Sequence, residues 1–169
     1  MKRNILTGLG KHKRIIFIFY CLFMLYLLFF QRFAWNRNPS GDYSEWLRTS
    51  VNFVPFRTVK DFIEILNNPT STWNFILLSI ANLSGNIILF IPMGIFLPSI
   101  FKKQKKLLTF VISIFLIILA VELIQLFSTL GCFDIDDLIL NVIGALIGYT
   151  AWKVYGLRKH KNEKIVKSA

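Results

Sequence analysis

Residues 131–144 place three carboxylates and an amide at the start of an otherwise apolar segment. They read Gly131-Cys132-Phe133-Asp134-Ile135-Asp136-Asp137-Leu138-Ile139-Leu140-Asn141-Val142-Ile143-Gly144. The chain has nine acidic residues against twenty Lys and Arg, and three of the nine lie within 134–137. Oxygen ligands of this kind can hold Mg²⁺ or Ca²⁺, or bind a cationic or hydroxyl-rich group. This acidic stretch is therefore the best candidate for part of a working site.

Other polar residues interrupt two further apolar segments. Glu122 lies in one of them with Gln125 one turn later, and Asn82 and Asn86 lie in the other. A carboxylate within a membrane span costs roughly 2.5–3.5 kcal/mol on insertion scales, so we expect Glu122 to face the bundle interior and to have a partner. Two alternatives stay open. Glu122 could be protonated and only fix helix packing, and the two asparagines could only hydrogen-bond to neighbouring helices.

Spacing on the last apolar segment indicates which of its residues share a face. Asp137, Asn141, Gly144 and Gly148 recur at i, i+4, i+7 and i+11, and the two glycines would let another helix approach closely. The stripe is therefore expected to face protein. Asp134 could instead be the N-cap of this helix, and Asp136 or Asp137 could only favour its positive N-terminal end, which is the expectation for Asp136.

Helix rise gives each polar group a depth, counted from the outer end of its own segment. Asn141 lies ~6 Å deep, Glu122 ~12 Å and Asn82 ~13 Å, with Asn86 ~6 Å deeper than Asn82. These depths predict an outward-open cavity lined by seven ligand-binding residues, of which Glu122 is also the candidate catalytic residue. The seven are Asn82, Asn86, Glu122, Gln125, Asp134, Asp137 and Asn141.

Composition indicates that these residues are positioned by membrane-spanning helices. The chain has 169 residues, is 54% hydrophobic and contains seventeen Phe, which is too apolar for a soluble domain of this size. The net charge of +11 could suggest nucleic acid, but the cations cluster beside apolar runs, so no nucleic acid partner is expected. Cys21 and Cys132 should lie at different depths and give no disulfide framework. No resident cofactor is predicted, with Mg²⁺ or Ca²⁺ at the acidic cluster as the alternative.

The predicted fold is an all-α integral membrane protein with four transmembrane helices. The first apolar run with its basic head could also be a signal peptide, but no small-residue cleavage site follows it, which favours an uncleaved anchor ~30 Å long. The predicted segments, in order, are a basic head at 1–14, spans at 15–35, 73–101, 107–130 and 137–155, an outer loop at 36–72, a basic turn at 102–106, an outer acidic turn at 131–136 and a basic tail at 156–169.

Charge and periodicity then predict the orientation and one more helix. Fifteen of the twenty Lys and Arg lie in the head, in the middle turn and from Lys153 onward, so both termini are predicted to be cytoplasmic. Within the outer loop, Val59, Phe62, Ile63 and Leu66 form one apolar stripe. This pattern predicts an amphipathic helix at 58–68, too short to span, lying in the outer interface with Thr58 as its N-cap.

Four pieces in this order resemble the VanZ-like family of small bacterial membrane proteins. They are Asn52-Phe53-Val54-Pro55-Phe56, Asn86-Ile87-Ile88-Leu89-Phe90-Ile91-Pro92-Met93-Gly94, Glu122-Leu123-Ile124-Gln125, and Asp134-Ile135-Asp136-Asp137 with Asn141 and Gly144. The resemblance covers about residues 50–150 as a single domain. Many members carry an Arg shortly before the first Asp of the last piece, where this chain reads Leu130-Gly131-Cys132-Phe133, so no role of that Arg is transferred.

The resemblance implies a multi-pass protein of the bacterial cell membrane, associated with resistance to glycopeptides of the teicoplanin type. By that similarity the matched site positions are Asn86, Glu122, Gln125, Asp134, Asp137 and Asn141.

Three functions compete at this point. The first is a non-enzymatic envelope protein that binds a glycopeptide or a lipid-linked wall precursor beside membrane lipid. The second is a membrane-embedded enzyme on a lipid-linked or peptide substrate, with Glu122 as general acid or base. The third, a proton or cation pathway, ranks last because the inner halves of the spans carry no acids.

Overall fold

The computed structural model describes residues 2–30, 42–68 and 70–168 and shows an all-α bundle. Helix α1 spans Lys2–Leu25 and continues as a π-helical turn, Tyr26–Phe30. Three more long helices are α4, Trp73–Ile100, α5, Leu107–Phe127, and α6, Ile135–Ser168. Each of the four contains a stretch long and apolar enough to cross a membrane: His12–Phe29, Trp73–Ile100, Leu107–Phe127 and Ile135–Arg158. The predicted fold class is confirmed, while residues 31–35 of the first predicted span lie outside the described residues.

Shorter elements connect the spans. Helix α2, Tyr43–Thr49, strand β1, Val51–Asn52, and helix α3, Arg57–Asn67, precede α4. A 3-10 helix, Lys102–Lys105, joins α4 to α5, and strand β2, Phe133–Asp134, precedes α6.

The core is a narrow apolar seam between the long helices. Phe110, Ile114 and Ile118 repeat every four residues on α5 and are fully buried. They pack with Ala145 and Tyr149 of α6, and the rings of Phe110 and Tyr149 have centroids 4.7 Å apart. The outward faces of the spans carry exposed large apolar side chains, among them Phe75, Leu78, Leu108, Leu116 and Val154. An apolar outer surface of this kind matches lipid as the solvent.

Helices α4 and α6 run parallel with their backbones in direct contact. A Cβ added to Gly144 would overlap the carbonyl oxygen of Ile87, and one added to Gly148 would overlap that of Ile91. A Cβ added to Gly94 of α4 would in the same way overlap the carbonyl oxygen of Ala145 on α6. The close approach predicted from Gly144 and Gly148 is therefore confirmed, because any larger residue there would push the two helices apart.

The segment from 42 to 50, predicted as loop, contains a helix. Asp42 is the N-cap of α2 and accepts a hydrogen bond from the Ser44 amide at 3.2 Å. Hydrogen bonds from the Ser44 hydroxyl and amide lower the pKa of Asp42 below its ordinary value. Tyr43 Oη and Trp46 Nε1 donate to the carbonyl oxygens of Phe127 and Leu126 at the C-terminal end of α5. Two turns of helix are marginal in isolation, so these tertiary hydrogen bonds explain why periodicity missed α2.

The N-terminus of α3 differs from the prediction in one respect. The helix covers Arg57–Asn67, within one residue of the predicted 58–68, but Thr58 is not its N-cap. Phe56 occupies that position in the left-handed region, with φ 63°, and makes no side-chain capping bond. The capping group comes from another part of the chain, as described below.

The ends of the last two spans also differ from the expected bounds. Helix α5 ends at Phe127, and the amides of Leu130 and Gly131 then donate to the Gln125 carbonyl at 3.0 and 3.1 Å. Helix α6 begins at Ile135 and runs to Ser168, so the segment 156–168 of the expected tail continues the span as helix. The tail is rich in Lys and has no Pro, and extending an existing helix avoids the cost of nucleation.

Candidate functional site

A two-residue parallel strand pair attaches the first outer segment to the acidic turn. Val51 pairs with Phe133, and Asn52 pairs with Asp134. The Phe133 amide also donates to the Ser50 carbonyl at 2.8 Å. The paired residues lie 82 positions apart in the sequence, so the contact fixes where the outer segment meets the end of the bundle.

Both oxygens of Asp134 accept hydrogen bonds from the protein itself. Oδ1 accepts from Asn52 Nδ2 at 3.1 Å and from the Asp136 amide at 2.9 Å, and Oδ2 accepts from Thr58 Oγ1 at 2.6 Å. Asp134 therefore acts as the N-cap of α6, the alternative reading of this residue, and at the same time holds the first turn of α3. The predicted role of Asp134 in ligand binding stays a prediction.

Asp136 has a role that the sequence analysis missed. Its side chain is 1% exposed and accepts hydrogen bonds from the amides of Phe56 and Thr58, the latter at 2.8 Å. The carboxylate thus caps α3, whose first amides have no intrahelical partner. The expectation that Asp136 only favours the end of its own helix is wrong, because the strand pair places another helix N-terminus against it.

Asn52 and Thr58, which hold Asp134, were also not identified as site residues. Their partner lies 76 to 82 positions away along the chain. The periodicity of a single helix or strand carries no information about contacts between residues so far apart in the sequence. Their one signal in the sequence is that Asn52 begins the first of the four family-like pieces.

Below the acidic turn lies a layer of buried polar side chains. Glu122 and Asn141 are 4% exposed, Gln125 is 1% exposed and Asp137 is also buried. Asn86 Nδ2 donates to Asp137 Oδ1, which joins α4 to α6. Gln125 Nε2 donates to the Leu28 carbonyl at 2.9 Å, which joins α5 to the π-helical turn of the first span. These hydrogen bonds link the spans in two pairs, α4 with α6 and α5 with the first span.

Helix register indicates which of these residues share a level. Helices α5 and α6 are antiparallel, and the contact of Phe110 with Tyr149 sets their register. Twelve residues from this contact toward the acidic turn, a distance of ~18 Å, Glu122 of α5 lies at the same level as Asp137 of α6. Four residues short of that pair, Ile118 comes opposite Asn141. Two buried carboxylates from different helices therefore lie at one level of the bundle, with Asn141 one turn deeper.

The depths estimated from the sequence require a correction. Asn86 was placed ~19 Å below the end of its segment, yet it bonds to Asp137, the third residue of α6. Ile87, the fifteenth residue of α4, lies against Gly144, the tenth residue of α6, so α4 extends about five residues beyond the start of α6 at this contact. Counting from each helix end failed because the helices are staggered, and only packing fixes a stagger.

Asn82 stands apart from the other six residues. It lies one turn outward of Asn86 on the same side of α4, and its side chain is exposed. The two asparagines thus form a polar edge that runs from an exposed position to the buried layer.

The described residues hold no ready-made metal centre. In the part of the chain that the structure describes, no three His, Cys, Asp or Glu side chains are grouped closely enough to hold a metal ion. The oxygen donors match hard cations by type, but Mg²⁺ and Ca²⁺ take six or more oxygens.

Comparison with known proteins places this architecture in a family. A family model described as VanZ/LLP1 matches residues 17–156. The chain belongs to the VanZ/LLP1 family. It is 32% identical over 116 residues to Protein VanZ of Enterococcus faecium, an alignment that covers 68% of this chain and 58% of that protein. The chain thus aligns with less than two thirds of that relative's length. No solved structure matches.

The four pieces that resemble VanZ-like proteins meet at one end of the bundle. Asn52 pairs with Asp134, the Phe56 amide bonds to Asp136, and Asn86 bonds to Asp137. The Glu122 piece lies level with them by register. Residues spread over about ninety positions therefore form one polar cluster. Its outer tier consists of Asp134 and Asp136, which hold the start of α3. Its buried tier consists of Glu122, Asp137 and Asn141.

Proposed function

We propose that this protein contributes to resistance to teicoplanin-type glycopeptides by binding the drug or a lipid-linked wall component at the outer leaflet of the bacterial cell membrane. The observation that carries the proposal is the convergence of the VanZ-like pieces on one buried polar layer, beside the half-buried Asn86 and the exposed Asn82. Binding lowers access of the drug to its target, so no chemical step is required.

The two tiers support different parts of this role. Asp134 and Asp136 are occupied by hydrogen bonds to Thr58 and to the start of α3, which suits a structural task. Glu122, Asp137 and Asn141 are buried within the spans, where polar groups are expensive and usually mark a functional site. We therefore assign ligand recognition to the buried tier and shaping of its entrance to the outer tier.

The proposed topology places this entrance outside the cell. The opposite end of the bundle carries the exposed basic turn of Lys102, Lys103, Lys105 and Lys106, and Lys153 and Arg158 of α6 are exposed as well. By the positive-inside rule that end is cytoplasmic, and with four spans both termini are cytoplasmic.

Helix α3 is proposed to lie in the outer interface. Phe62 and Ile65 are half-buried, whereas Ile63 and Leu66 are about half exposed. The far side of the helix carries an exposed ion pair of Lys60 and Glu64 at 3.8 Å. This arrangement suits a helix with one side on the bundle, one on lipid and one on water.

Susceptibility of cells tests the proposed function. Expression in a susceptible host is expected to reduce susceptibility to teicoplanin more than to vancomycin. Glu122→Gln and Asp137→Asn are expected to abolish the effect at matched expression, while Glu45→Gln, which changes an exposed acid on α2, keeps it. If the wild type is present in the membrane and neither drug's inhibitory concentration changes, the proposal fails. If both site variants behave as wild type, the site assignment fails.

Cysteine labelling tests the topology with residues already present. Cys132 is exposed in the acidic turn, whereas Cys21 is half-buried within the first span. A membrane-impermeant maleimide is expected to label intact cells through Cys132 and to leave Cys132→Ser unlabelled. In the Cys132→Ser background, Lys103→Cys is expected to react only after the cells are opened. The reverse pattern would contradict the orientation.

A further inference from the structure

Five exposed lysines converge at the end of the bundle opposite the acidic turn. They form a basic cluster that consists of Lys102, Lys103, Lys105, Lys106 and Lys153. The first four lie in and directly after the 3-10 helix that joins α4 to α5, whereas the fifth belongs to α6. The sequence groups the four lysines of the turn, and the packing of α6 adds the fifth.

Two hydrogen bonds hold the turn that carries these lysines. Tyr149 Oη donates to the Lys105 carbonyl at 2.7 Å, which joins the turn to α6. Lys153 lies one helical turn beyond Tyr149 on the same side of α6, so this bond places it next to the basic turn. Gln104 Nε2 donates to Ser113 Oγ at 2.9 Å, which joins the turn to α5. The fold itself therefore keeps the positive charges of the cluster together.

No acid offsets these charges among the described side chains. The chain has nine acidic residues, and eight of them lie in the outer loop, within α5 or at residues 134–137. The ninth, Glu163, lies ten positions beyond Lys153, which is ~15 Å further along α6. The ion pair within the described residues, Lys60 with Glu64, belongs to α3. A group of like charges repels itself, so the cluster favours an anionic partner.

The neighbours of the cluster indicate that this partner is a lipid. Phe101, just before the turn, and Leu107 and Leu108, just after it, are exposed apolar residues. Phe101 directly follows α4 and Leu107 begins α5, and both helices can cross a membrane. The lysines therefore lie where the hydrocarbon meets the headgroups, at the level of the lipid phosphates. A nucleic acid would have to displace headgroups to reach this level.

We propose that the basic cluster binds the phosphate group of an anionic phospholipid. Each ammonium offers three N–H donors and a positive charge, and a phosphate group offers charged oxygen acceptors. A lysine near an anionic lipid surface increases the affinity about five-fold. The inference is independent of the proposed function, and it holds for either orientation of the bundle in the membrane.

Lipid binding by the purified protein tests the proposal. The protein is titrated with phosphatidylglycerol in a neutral detergent, and the thermal midpoint is followed by tryptophan fluorescence. Phosphatidylcholine has the same phosphodiester but no net charge, and it serves as the control lipid. Phosphatidylglycerol is expected to raise the midpoint in a saturable manner that weakens at high salt, and phosphatidylcholine is not. Equal effects of the two lipids would overturn the proposal, as would displacement of phosphatidylglycerol by excess inorganic phosphate or tighter binding of a short DNA duplex.

Charge variants locate the binding surface. Lys102→Gln combined with Lys105→Gln removes two exposed cations from the turn and is expected to weaken phosphatidylglycerol binding about 10- to 30-fold. Arg48→Gln combined with Arg57→Gln makes the same change in net charge near the acidic end and is expected to bind normally. Equal weakening by the two pairs would show that net charge alone governs binding. Undiminished binding by the lysine pair would place the lipid elsewhere, and either result would refute the proposal.

Two further variants separate loss of charge from loss of folding. Lys102→Arg combined with Lys105→Arg keeps both charges and is expected to bind as tightly as the wild type. Loss of binding in this folded pair would contradict an electrostatic site. If the glutamine pair does not fold, Lys153→Gln decides, because it changes one exposed residue of α6 and is expected to weaken binding about five-fold. Unchanged binding by Lys153→Gln would then overturn the assignment.

Discussion

Replacing Asp136 by alanine is expected to release α3 from the end of the bundle. The carboxylate is 1% exposed and accepts hydrogen bonds from the amides of Phe56 and Thr58. Both amides belong to the start of α3, where they have no intrahelical acceptor. Alanine therefore leaves two donors without a partner and removes a negative charge from the positive end of a helix dipole.

The magnitude follows from these two bonds. Hydrogen bonds to charged groups contribute about 1.5–3 kcal/mol each, and bonds to one carboxylate are not additive. Because α3 lies at the surface, water can bind the released amides, and the free energy lost is smaller than the sum of the two hydrogen bonds. We therefore expect the free energy that opposes local opening of α3 to fall by about 3 kcal/mol, which corresponds to about 10²-fold faster amide exchange.

Hydrogen–deuterium exchange of the detergent-solubilised protein measures this change. Exchange in residues 57–67 is expected to accelerate in Asp136→Ala, while exchange within α5 stays at the wild-type rate. Asp136→Asn keeps one acceptor oxygen and should give an intermediate rate. Asp61→Ala removes an exposed acid from α3 and serves as the control. Unchanged exchange in both Asp136 variants would refute the capping role, and uniform acceleration across all helices would show that Asp136 stabilises the whole bundle instead.

Two further predictions concern the packing of α6. Gly144→Leu should separate α6 from α4 and lower the thermal midpoint strongly, because its side chain would overlap the Ile87 backbone; Gly85→Leu, at a position with no heavy atom within 4 Å of an added Cβ, should change the midpoint little. Equal midpoints for the two leucine variants would contradict the close contact. Asn141→Leu should raise the free energy of unfolding by about 1–3 kcal/mol in the absence of ligand, because it removes a buried acceptor without a partner. A loss of stability, measured by denaturation in mixed micelles, would show that the Asn141 side chain is satisfied in the folded protein.

The sequence indicated which polar residues of the candidate site are buried, with one exception among the asparagines, but not which distant segments they contact. Glu122, Gln125, Asp137 and Asn141 were selected as polar residues within apolar segments, and all four are buried. Asn82 satisfied the same criterion, but its side chain is exposed. Asp136 was set aside and proved to be one of the most buried acids, because its partners lie about eighty residues away.

The sequence by itself determined the four membrane-crossing helices and the polar residues that interrupt them. Both properties are local: a run of about twenty apolar residues crosses a bilayer as helix whatever its neighbours are, and a carboxylate in such a run is expensive wherever it lies. The tertiary structure decided which polar groups meet. The pairing of Asn52 with Asp134, the capping of α3 by Asp136 and the common level of Glu122 and Asp137 depend on the stagger of packed helices. That stagger arises from contacts between distant segments, such as Gly144 against Ile87, where the absence of a side chain lets two backbones touch.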